Sequence, residues 1–385
     1  MTVQVAGVAS TEFGKHPAGS TRELFVDAAL EALEDASMAV GDVEELYVGN
    51  FIGDVTDDQA HVGAMMADYL GVREAASMRT ESACASASSA ARAGRLVVES
   101  GDVDVALVGG VEMMFTSGIE EVTDALANAA DNEYENEAGL TFPGIYALMA
   151  RVYMDEFDVT NEALAAVAVK NRKNGVSNPI SQYQEAIDVE DVLESQPIAS
   201  PLGLFDCCPI TDGASAAVLV SERYADEHDL DASVSFVASG HSSDSLALQD
   251  RPDLARTRAA ERAAEQAYER AGITAEDVDV VELHDCFTIA EILAVESLGF
   301  YERGEGARGA VEGETAVDGE IPVNTSGGLL AKGHPVGATG VAQVVEITKQ
   351  LEGRHPNQVD DARVGLTHTV GGSGASCVVN VFRGE

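Results

Sequence analysis

The stretch "TESACASASSAARAG", residues 80–94, sets a single cysteine among very small side chains. Cys84 is followed by seven consecutive alanine and serine residues, which leave little bulk to fill a core. The continuation of this pattern predicts a helix that begins at Cys84, where unpaired N–H groups and the helix dipole favour a thiolate. Two interpretations are open at this point: a buried small cysteine, or a nucleophile with cleared space around it.

Helices and strands alternate on both sides of this stretch. Residues 21–38, "TRELFVDAALEALEDASM", have the apolar spacing of a helix. Residues 43–51, "VEELYVGNF", and residues 102–114, "DVDVALVGGVEMM", have the composition of strands. This order predicts an α/β fold with a largely parallel sheet and helices on its faces.

The same pattern returns later in the chain. Residues 259–287 repeat the order of residues 24–51, with an amphipathic helix, an acidic turn, a strand and a final Phe. A further helix at 337–353 and a strand pair at 362–382 echo the helix after Cys84 and the strand that follows it. The sequence therefore predicts two similar halves.

The repeat also predicts the domain organisation. We expect an N-terminal half over residues 1–230 and a C-terminal half over residues 231–385. Residues 115–205 do not fit the repeat and predict a mostly helical insertion, a natural element for covering a substrate. Halves packed face to face would bring Cys84 and the glycine-rich segment near His334 towards one interface.

Two further segments contain candidate functional residues. His334 lies in "NTSGGLLAKGHPVGATG", residues 324–340, where a flexible turn could present a histidine that deprotonates a thiol. His284 and Cys286 lie in "VELHDCFTIAE", residues 281–291, and a strand period of two places both side chains on one face. The alternatives are a capping loop histidine for the first segment, and a core cysteine with a surface histidine, or a metal pair, for the second.

A glycine-rich segment and three more cysteines complete the candidates. Residues 367–376, "THTVGGSGAS", could offer backbone N–H groups to an anion or form a strand-end turn. Five cysteines without a C-x-x-C pair make a disulfide framework and a structural zinc site unexpected. We predict structural roles for Cys207 and Cys208, and a packing role for Cys377.

The charge of the chain is strongly negative. Its 66 acidic residues exceed its 23 basic residues, which gives a net charge of −43, and the acids are spread along the whole sequence. This predicts a halophilic protein, adapted to molar salt, where a Debye length of roughly 3 Å screens self-repulsion. Nucleic acid is not an expected partner, because no basic patch neutralises phosphates.

The hydrophobic pattern predicts a globular protein. No apolar run reaches the ~18 residues of a membrane-spanning helix. The N-terminal "MTVQVAGVASTEFGKH" lacks the basic segment and apolar stretch of a signal peptide. We therefore expect a cytoplasmic protein without membrane association.

Taken together, these motifs resemble the thiolase superfamily over essentially the whole chain. The resemblance rests on "SACASASSAARAG", "GGVEMM", "FDCCPITDGASA", "HDCF" and "NTSGGLLAKGHPVGATG". "HDCF" is similar to the sterol-carrier-protein-2-type thiolases and to archaeal acetoacetyl-CoA thiolases, whereas biosynthetic thiolases carry Asn-Glu-Ala-Phe there. The resemblance implies the thiolase fold: two duplicated βα halves in a layered α/β/α/β/α core, with a helical loop-domain insertion.

The resemblance also implies the role of each site residue. Cys84 is the acyl-accepting nucleophile, and His334 activates it and contributes to one oxyanion hole. His284 supports that hole through a water molecule. Cys286 exchanges a proton with the substrate α-carbon or the leaving thiol. The backbone N–H groups of Cys84 and Gly371 form a second oxyanion hole.

One departure from the family pattern bears on the second cysteine. In biosynthetic thiolases it belongs to a Cys-x-Gly sequence near the C-terminus, and here the matching residue is Thr369. This departure favours Cys286 as the acid/base residue. Neither a metal nor a resident cofactor is expected, because coenzyme A thioesters are the substrates. The sequence does not assign the residues that contact CoA; Arg151 and Arg223 are candidates for its phosphates.

The activity implied is that of an acetyl-CoA C-acetyltransferase, which condenses two acetyl-CoA molecules to acetoacetyl-CoA and CoA through a cysteine acyl-enzyme, reversibly. The alternatives are a degradative thiolase for longer or branched 3-ketoacyl-CoA substrates, and a non-catalytic acyl-CoA-binding, lipid-binding or scaffold protein. The resemblance further implies a homodimer or homotetramer, a place in the mevalonate pathway, and two partners: a zinc-ribbon/OB-fold protein and HMG-CoA synthase.

Overall fold

The computed structural model describes residues 1–115 and 118–384. The strands are β1 (Val3–Ser10), β2 (Glu45–Gly49), β3 (Ala76–Thr80), β4 (Val105–Glu112), β5 (Pro197–Ala199), β6 (Leu202–Gly203), β7 (Gly213–Ser221), β8 (Val234–Ser243), β9 (Val280–Glu282), β10 (Val364–Gly371) and β11 (Ser376–Gly384). The α-helices are α1 (Thr21–Asp35), α2 (Gly53–Thr56), α3 (Val62–Leu70), α4 (Ser86–Ser100), α5 (Ile119–Ala127), α6 (Phe142–Phe157), α7 (Asn161–Gly175), α8 (Val189–Leu193), α9 (Glu222–His228), α10 (Arg258–Ala271), α11 (Thr288–Ser297), α12 (Gly306–Val311), α13 (Gly328–Ala331) and α14 (Thr339–Leu351).

Local sequence signals set the ends of the main helices. The side chain of Ser20 accepts a hydrogen bond from the backbone N–H of Glu23 and so caps the start of α1. Helix α4 ends at Gly101 and helix α10 at Gly272, both with left-handed backbone angles that favour glycine. The apolar faces of these helices then bury against the strands.

Nine strands follow one hydrogen-bonded order, β3-β2-β4-β7-β1-β8-β11-β10-β9. Only two residue pairs join β1 to β8, so the sheet divides into two halves there. The two halves pair their strands in the same directions. In the first half, β1–β7 and β7–β4 are antiparallel and β4–β2 is parallel. In the second half, β8–β11 and β11–β10 are likewise antiparallel and β10–β9 is parallel. A parallel bridge from Val281 to Val323 takes the place of the β2–β3 pairing. The predicted duplication is therefore confirmed.

The expectation of a largely parallel sheet is wrong. Strands β1, β7, β8 and β11 all pair antiparallel to their neighbours, and parallel pairing is confined to β2 with β3 and β4, and to β9 with β10. Strands β10 and β11 are antiparallel because the short turn between Gly371 and Ser376 joins them as a hairpin. The prediction of a strand pair over 362–382 is correct.

Helices α4 and α14 lie side by side between the two halves. Helix α4 packs on β4 and β2, and α14 packs on both β10 and β7, while α1 and α10 cover the outer faces. A Cβ on Gly340 of α14 would stand 2.2 Å from the backbone N of Ser88 in α4, so the two backbones nearly touch. The alanine and serine run after Cys84 permits this approach, and the layered core is confirmed.

The insertion is mostly helical within its described residues. It contains helices α5 to α8 and the two-stranded β5–β6 pair, and residues 116–117 of the predicted range lie outside the described residues. The boundary predicted between residues 230 and 231 falls in the segment between α9 and β8, and it stays a prediction. Across residues 1–115 and 118–384, the helices fall short of the length and apolar character needed to cross a membrane.

Candidate active site

A cavity of about 250 Å³ lies against the start of α4, where the two halves meet. Cys84, His284, Cys286 and His334 all line it. The rest of its wall is mainly apolar, with Phe51, Met114 and Val336 from the two halves and Leu126, Phe142 and Tyr146 from the insertion. The structure thus brings together the four predicted side chains, and the insertion covers them.

Cys84 stands two residues before the first residue of α4, on a turn that places Ala83 at φ +49°. Burial raises the pKa of its thiol to about 12, although the amides of Gly372 and of Cys84 itself act in the opposite direction. The amides near the helix start act in the predicted direction, towards a thiolate, but loss of hydration outweighs them. Cys84 is a neutral thiol that needs a base at the moment of reaction.

His334 is held so that one ring nitrogen is free to act as that base. The hydroxyl of Thr339 donates to the carbonyl of Pro335 at 3.1 Å, so its oxygen accepts from Nδ1–H of His334 at 2.7 Å. This assigns the proton to Nδ1 and leaves the lone pair on Nε2. The backbone N–H of His334 donates to Thr211 Oγ1 at 3.0 Å, which fixes the turn.

His284 lies against His334, deep in the same wall. Its backbone N–H points at Nδ1 of His368 at 3.5 Å, and neither of its ring nitrogens has a partner among the described residues. Burial and the neighbouring rings of His334 and His368 hold the pKa of His284 well below its usual value. A neutral ring with a free donor is suited to bind a water molecule or a substrate oxygen.

Cys286 lies on the turn after β9, two residues beyond His284. Its carbonyl accepts from the backbone N–H of Cys208 at 3.0 Å, which anchors the turn. Burial raises the pKa of its thiol well above the usual value, and the Tyr146 hydroxyl that faces it acts in the opposite direction. Tyr146 also stacks on Phe287, with ring centroids 4.6 Å apart.

The glycine turn after β10 supplies a backbone donor to Cys84. The amide that reaches the thiol is that of Gly372, one residue beyond the predicted Gly371. Buried Arg251 donates to the Ser373 carbonyl and so braces this turn. Thr369 is fully buried and donates to Gln343 at 2.6 Å, so it belongs to a packing network rather than to the cavity.

Sequence reasoning missed several residues of this site. Cys207 and Cys208, interpreted as structural, line the cavity beside Cys286. Tyr146 lies in the insertion, and no motif pointed to it. The threonine five residues after His334 was visible in the sequence, and a search for hydroxyls near a candidate base would have found it. Cys377 is fully buried in the core, away from the cavity.

Two further expectations concern ions. The ligand atoms of Cys84, His284 and His334 lie within 4.8 Å of one another, so this set could hold a soft metal ion although none was expected. The two arginines considered for CoA phosphates point elsewhere: Arg223 pairs with Asp104 and Arg151 with the Ser200 carbonyl. The CoA contacts stay unassigned.

Two duplicated βα halves that present a cysteine and two histidines to one cavity define a class of α/β acyltransferases that work through a cysteine. Residues 3–223 match the model for "Thiolase, N-terminal domain" and residues 240–384 match "Thiolase C-terminal domain-like". The chain belongs to the thiolase family, as its motifs predicted.

Relatives extend along nearly the whole chain. It is 44% identical over 381 residues to an acetyl-CoA acetyltransferase of Methanothermobacter thermautotrophicus, covering 99% of both chains. It is 39% identical over 389 residues to one of Methanocaldococcus jannaschii, covering 99% of this chain and 98% of the other. The solved structure of the "Ltp2-ChsH2(DUF35) aldolase" aligns with a TM-score of 0.84 at 26% identity, over 98% of this chain and 97% of that one.

Proposed function

We propose that the protein is an acetyl-CoA C-acetyltransferase, which joins two acetyl-CoA molecules into acetoacetyl-CoA and CoA and also runs in reverse. The observation that carries the proposal is the convergence of Cys84, His284, Cys286 and His334 on one small apolar cavity. The two full-length relatives named acetyl-CoA acetyltransferase support the same activity. A cavity of about 250 Å³ suits a short acyl chain.

The first half of the reaction loads the acyl group. Nε2 of His334 takes the proton of the Cys84 thiol, and the sulfur attacks the thioester carbonyl of acetyl-CoA. We expect the amides of Cys84 and Gly372, which both act on the Cys84 thiol, to stabilise the oxyanion that forms. The C–S bond to CoA then breaks, and the departing CoA thiolate takes the proton of Cys286. An acetyl group on Cys84 and a thiolate at Cys286 remain.

The second half forms the carbon–carbon bond. The Cys286 thiolate removes a proton from the methyl group of a second acetyl-CoA. A water held by His284, together with His334, stabilises the enolate oxygen. The enolate carbon attacks the acetyl group on Cys84, and the Cys84 sulfur leaves and recovers its proton from His334. Both cysteines end as neutral thiols, so the proton balance closes.

The experiment separates the two cysteines. Cys84→Ala should abolish acetyl transfer to the protein and acetoacetyl-CoA formation. Cys286→Ala should still acetylate Cys84, observed by mass spectrometry of the intact protein, but should not condense. Cys377→Ala is the matched control, because that cysteine is buried away from the cavity. Condensation by Cys84→Ala would reject the proposal, and rates that peak with long or branched 3-ketoacyl-CoA would assign the degradative reaction instead.

The oligomeric state, the partners, the pathway and the location of the protein are also proposals. We propose a homo-oligomer, and the support is β3, an edge strand with Met78 56% exposed. An accessory zinc-ribbon/OB-fold protein is proposed because the aligned aldolase is named with a DUF35 component. HMG-CoA synthase, the mevalonate pathway, a salt-loving archaeal host and the cytoplasm are proposed on family resemblance and charge.

A further inference from the structure

Tyr146, in the insertion, carries a hydroxyl that faces both the acid/base cysteine and the glycine turn. It lies in the first half of α6, is 2% exposed, and stacks on Phe287. Its hydroxyl donates to the Gly372 carbonyl at 3.1 Å and faces the Cys286 thiol. The amide of the same glycine reaches the Cys84 thiol, so one tyrosine links the surroundings of both cysteines.

The chemistry of the reaction gives this hydroxyl a task. Between the two halves of the reaction Cys286 carries a negative charge, and the cavity around it is mainly apolar. An uncompensated charge in such surroundings is costly, so the thiolate needs a donor. A tyrosine hydroxyl holds one proton and two lone pairs, so it can accept from the thiol and donate to the thiolate. Turning from the Gly372 carbonyl to the sulfur requires rotation about one bond only.

We propose that Tyr146 is a catalytic residue of the proton-transfer half-reaction, and that its hydroxyl donates to the Cys286 thiolate while Cys84 carries the acyl group. The inference rests on the proposed function, because it uses the roles of those two cysteines. It adds a third group to the proton transfer, contributed by the insertion rather than by the duplicated core.

Other charged and titratable groups lie around Tyr146 and Cys286. The carboxylate of Asp285 and the thiols of Cys84 and Cys207 face Cys286 and disfavour its negative charge, whereas the Tyr146 hydroxyl favours it. Arg251 approaches Tyr146, but its guanidinium donates to the Ser373 carbonyl and hydroxyl. The titratable and charged groups that face the pair are Cys84, Cys207, Cys208, Asp285 and Arg251.

Tyr146→Phe tests the proposal, with Tyr153→Phe as its matched control. Tyr153 lies two turns further along α6, is fully buried, and bonds to Glu296 outside the cavity. Acetylation of Cys84 should persist in Tyr146→Phe, since water can protonate the departing CoA thiolate. Deuterium exchange into the methyl group of acetyl-CoA and the condensation rate should both fall about 10–100-fold, the effect of one hydrogen bond to a charged group. The control should match the wild type in both rates.

The pH profile distinguishes a catalytic role from a structural one. Loss of the donor raises the pKa of Cys286, so the condensation profile of Tyr146→Phe should move to higher pH. Replacing Tyr146 by 3-fluorotyrosine, which keeps the shape and strengthens the acid, should move it to lower pH, and this variant serves if the phenylalanine variant does not fold. Unshifted profiles, or equal losses in acetylation and exchange, would overturn the inference. Failure of wild-type Cys84 to become acetylated would instead reject the proposed function.

Discussion

The imidazole rings of His284 and His334 meet edge to face, with centroids 4.9 Å apart and planes at 80°. Burial lowers the pKa of His334 to about 3, and burial with the neighbouring rings lowers that of His284. Two cationic rings at this separation would repel each other, so burial and repulsion both favour neutral rings before the reaction begins. Neutral rings are required for a base at one position and a water ligand at the other.

The lowered pKa of His334 predicts a loss of stability in acid. The unfolded chain titrates this ring near pH 6.5, so between pH 6.5 and 3 the unfolded state binds a proton that the folded state does not. The stability from the neutral ring is therefore fully present above pH 6.5 and declines as the pH falls. His334→Asn should remove about 1.4 kcal/mol per pH unit from the slope of the free energy of unfolding in that window. Urea unfolding at a series of pH values measures this slope, and an unchanged slope in His334→Asn would contradict the prediction.

Asp285 connects the two catalytic turns. Its carboxylate accepts from the backbone N–H of Leu329 at 2.7 Å, at the start of α13, and from Asn171 at 2.8 Å. In Asp285→Asn, an amide NH₂ replaces one carboxylate oxygen and faces an N–H of Leu329 or Asn171, so one hydrogen bond is lost. The substitution should lower the free energy of unfolding by about 1–3 kcal/mol and should also lower kcat.

The control for this prediction lies at the other end of β9. Asp279 also accepts from two backbone N–H groups, those of Arg363 and Val364, far from the cavity. Asp279→Asn should lower the melting temperature but keep kcat. If both variants kept full kcat, Asp285 would have no part in positioning the site.

The contact between α4 and α14 predicts the cost of one methyl group. A Cβ on Gly340 would stand 2.2 Å from the backbone N of Ser88 and force the helices apart. Gly340→Ala should lower the free energy of unfolding by about 1–3 kcal/mol and reduce acetylation of Cys84, which α4 positions. Gly41→Ala adds the same methyl group where nothing lies within 4 Å. The prediction fails if calorimetry gives both variants the same melting temperature.

The cysteine–histidine set predicts inhibition by soft metal ions. Zn²⁺ should bind the sulfur of Cys84 with the nitrogens of His284 and His334 and block the nucleophile. The pKa of the thiol is raised to about 12, and zinc must displace its proton, so inhibition should tighten with rising pH, by up to tenfold per unit. Inhibition constants measured between pH 6 and 8 test this, with Mg²⁺ as the hard-ion control. Equal effects of the two ions, or potency that ignores pH, would count against it.

The net charge of −43 predicts dependence on salt. Acidic residues outnumber basic residues 66 to 23, so the acids in excess repel one another. The melting temperature should rise steeply from dilute buffer to about 1 M KCl and level off once the Debye length reaches roughly 3 Å. Sucrose at matched osmolality is the control for water activity. A flat melting temperature over this range would remove the halophilic interpretation.

The sequence motifs predicted which residues form the site better than they predicted the geometry of the fold. Cys84 and His334 were found because small and flexible residues flank them, and their thiolase context assigned their partners. Strand direction was missed because the period of two is the same in parallel and antiparallel sheets. The neutral state of Cys84 depends on hydration, which a helix-start argument omits. The motifs pointed to the amide of Gly371, whereas the amide that lowers the pKa of the Cys84 thiol is that of the next residue, Gly372. The oxyanion role of Gly371 stays a prediction.

Because helix α6 of the insertion lines the cavity, the insertion affects how such enzymes can diversify. The nucleophile and its base belong to the duplicated core, whereas Leu126, Phe142 and Tyr146 come from the insertion. Recombination that replaced the whole insertion would change two properties together: the length of acyl chain that the cavity accepts, and the strength of Cys286 as a base. Laboratory chimaeras of the insertion are therefore a route to new condensing specificities on an unchanged scaffold.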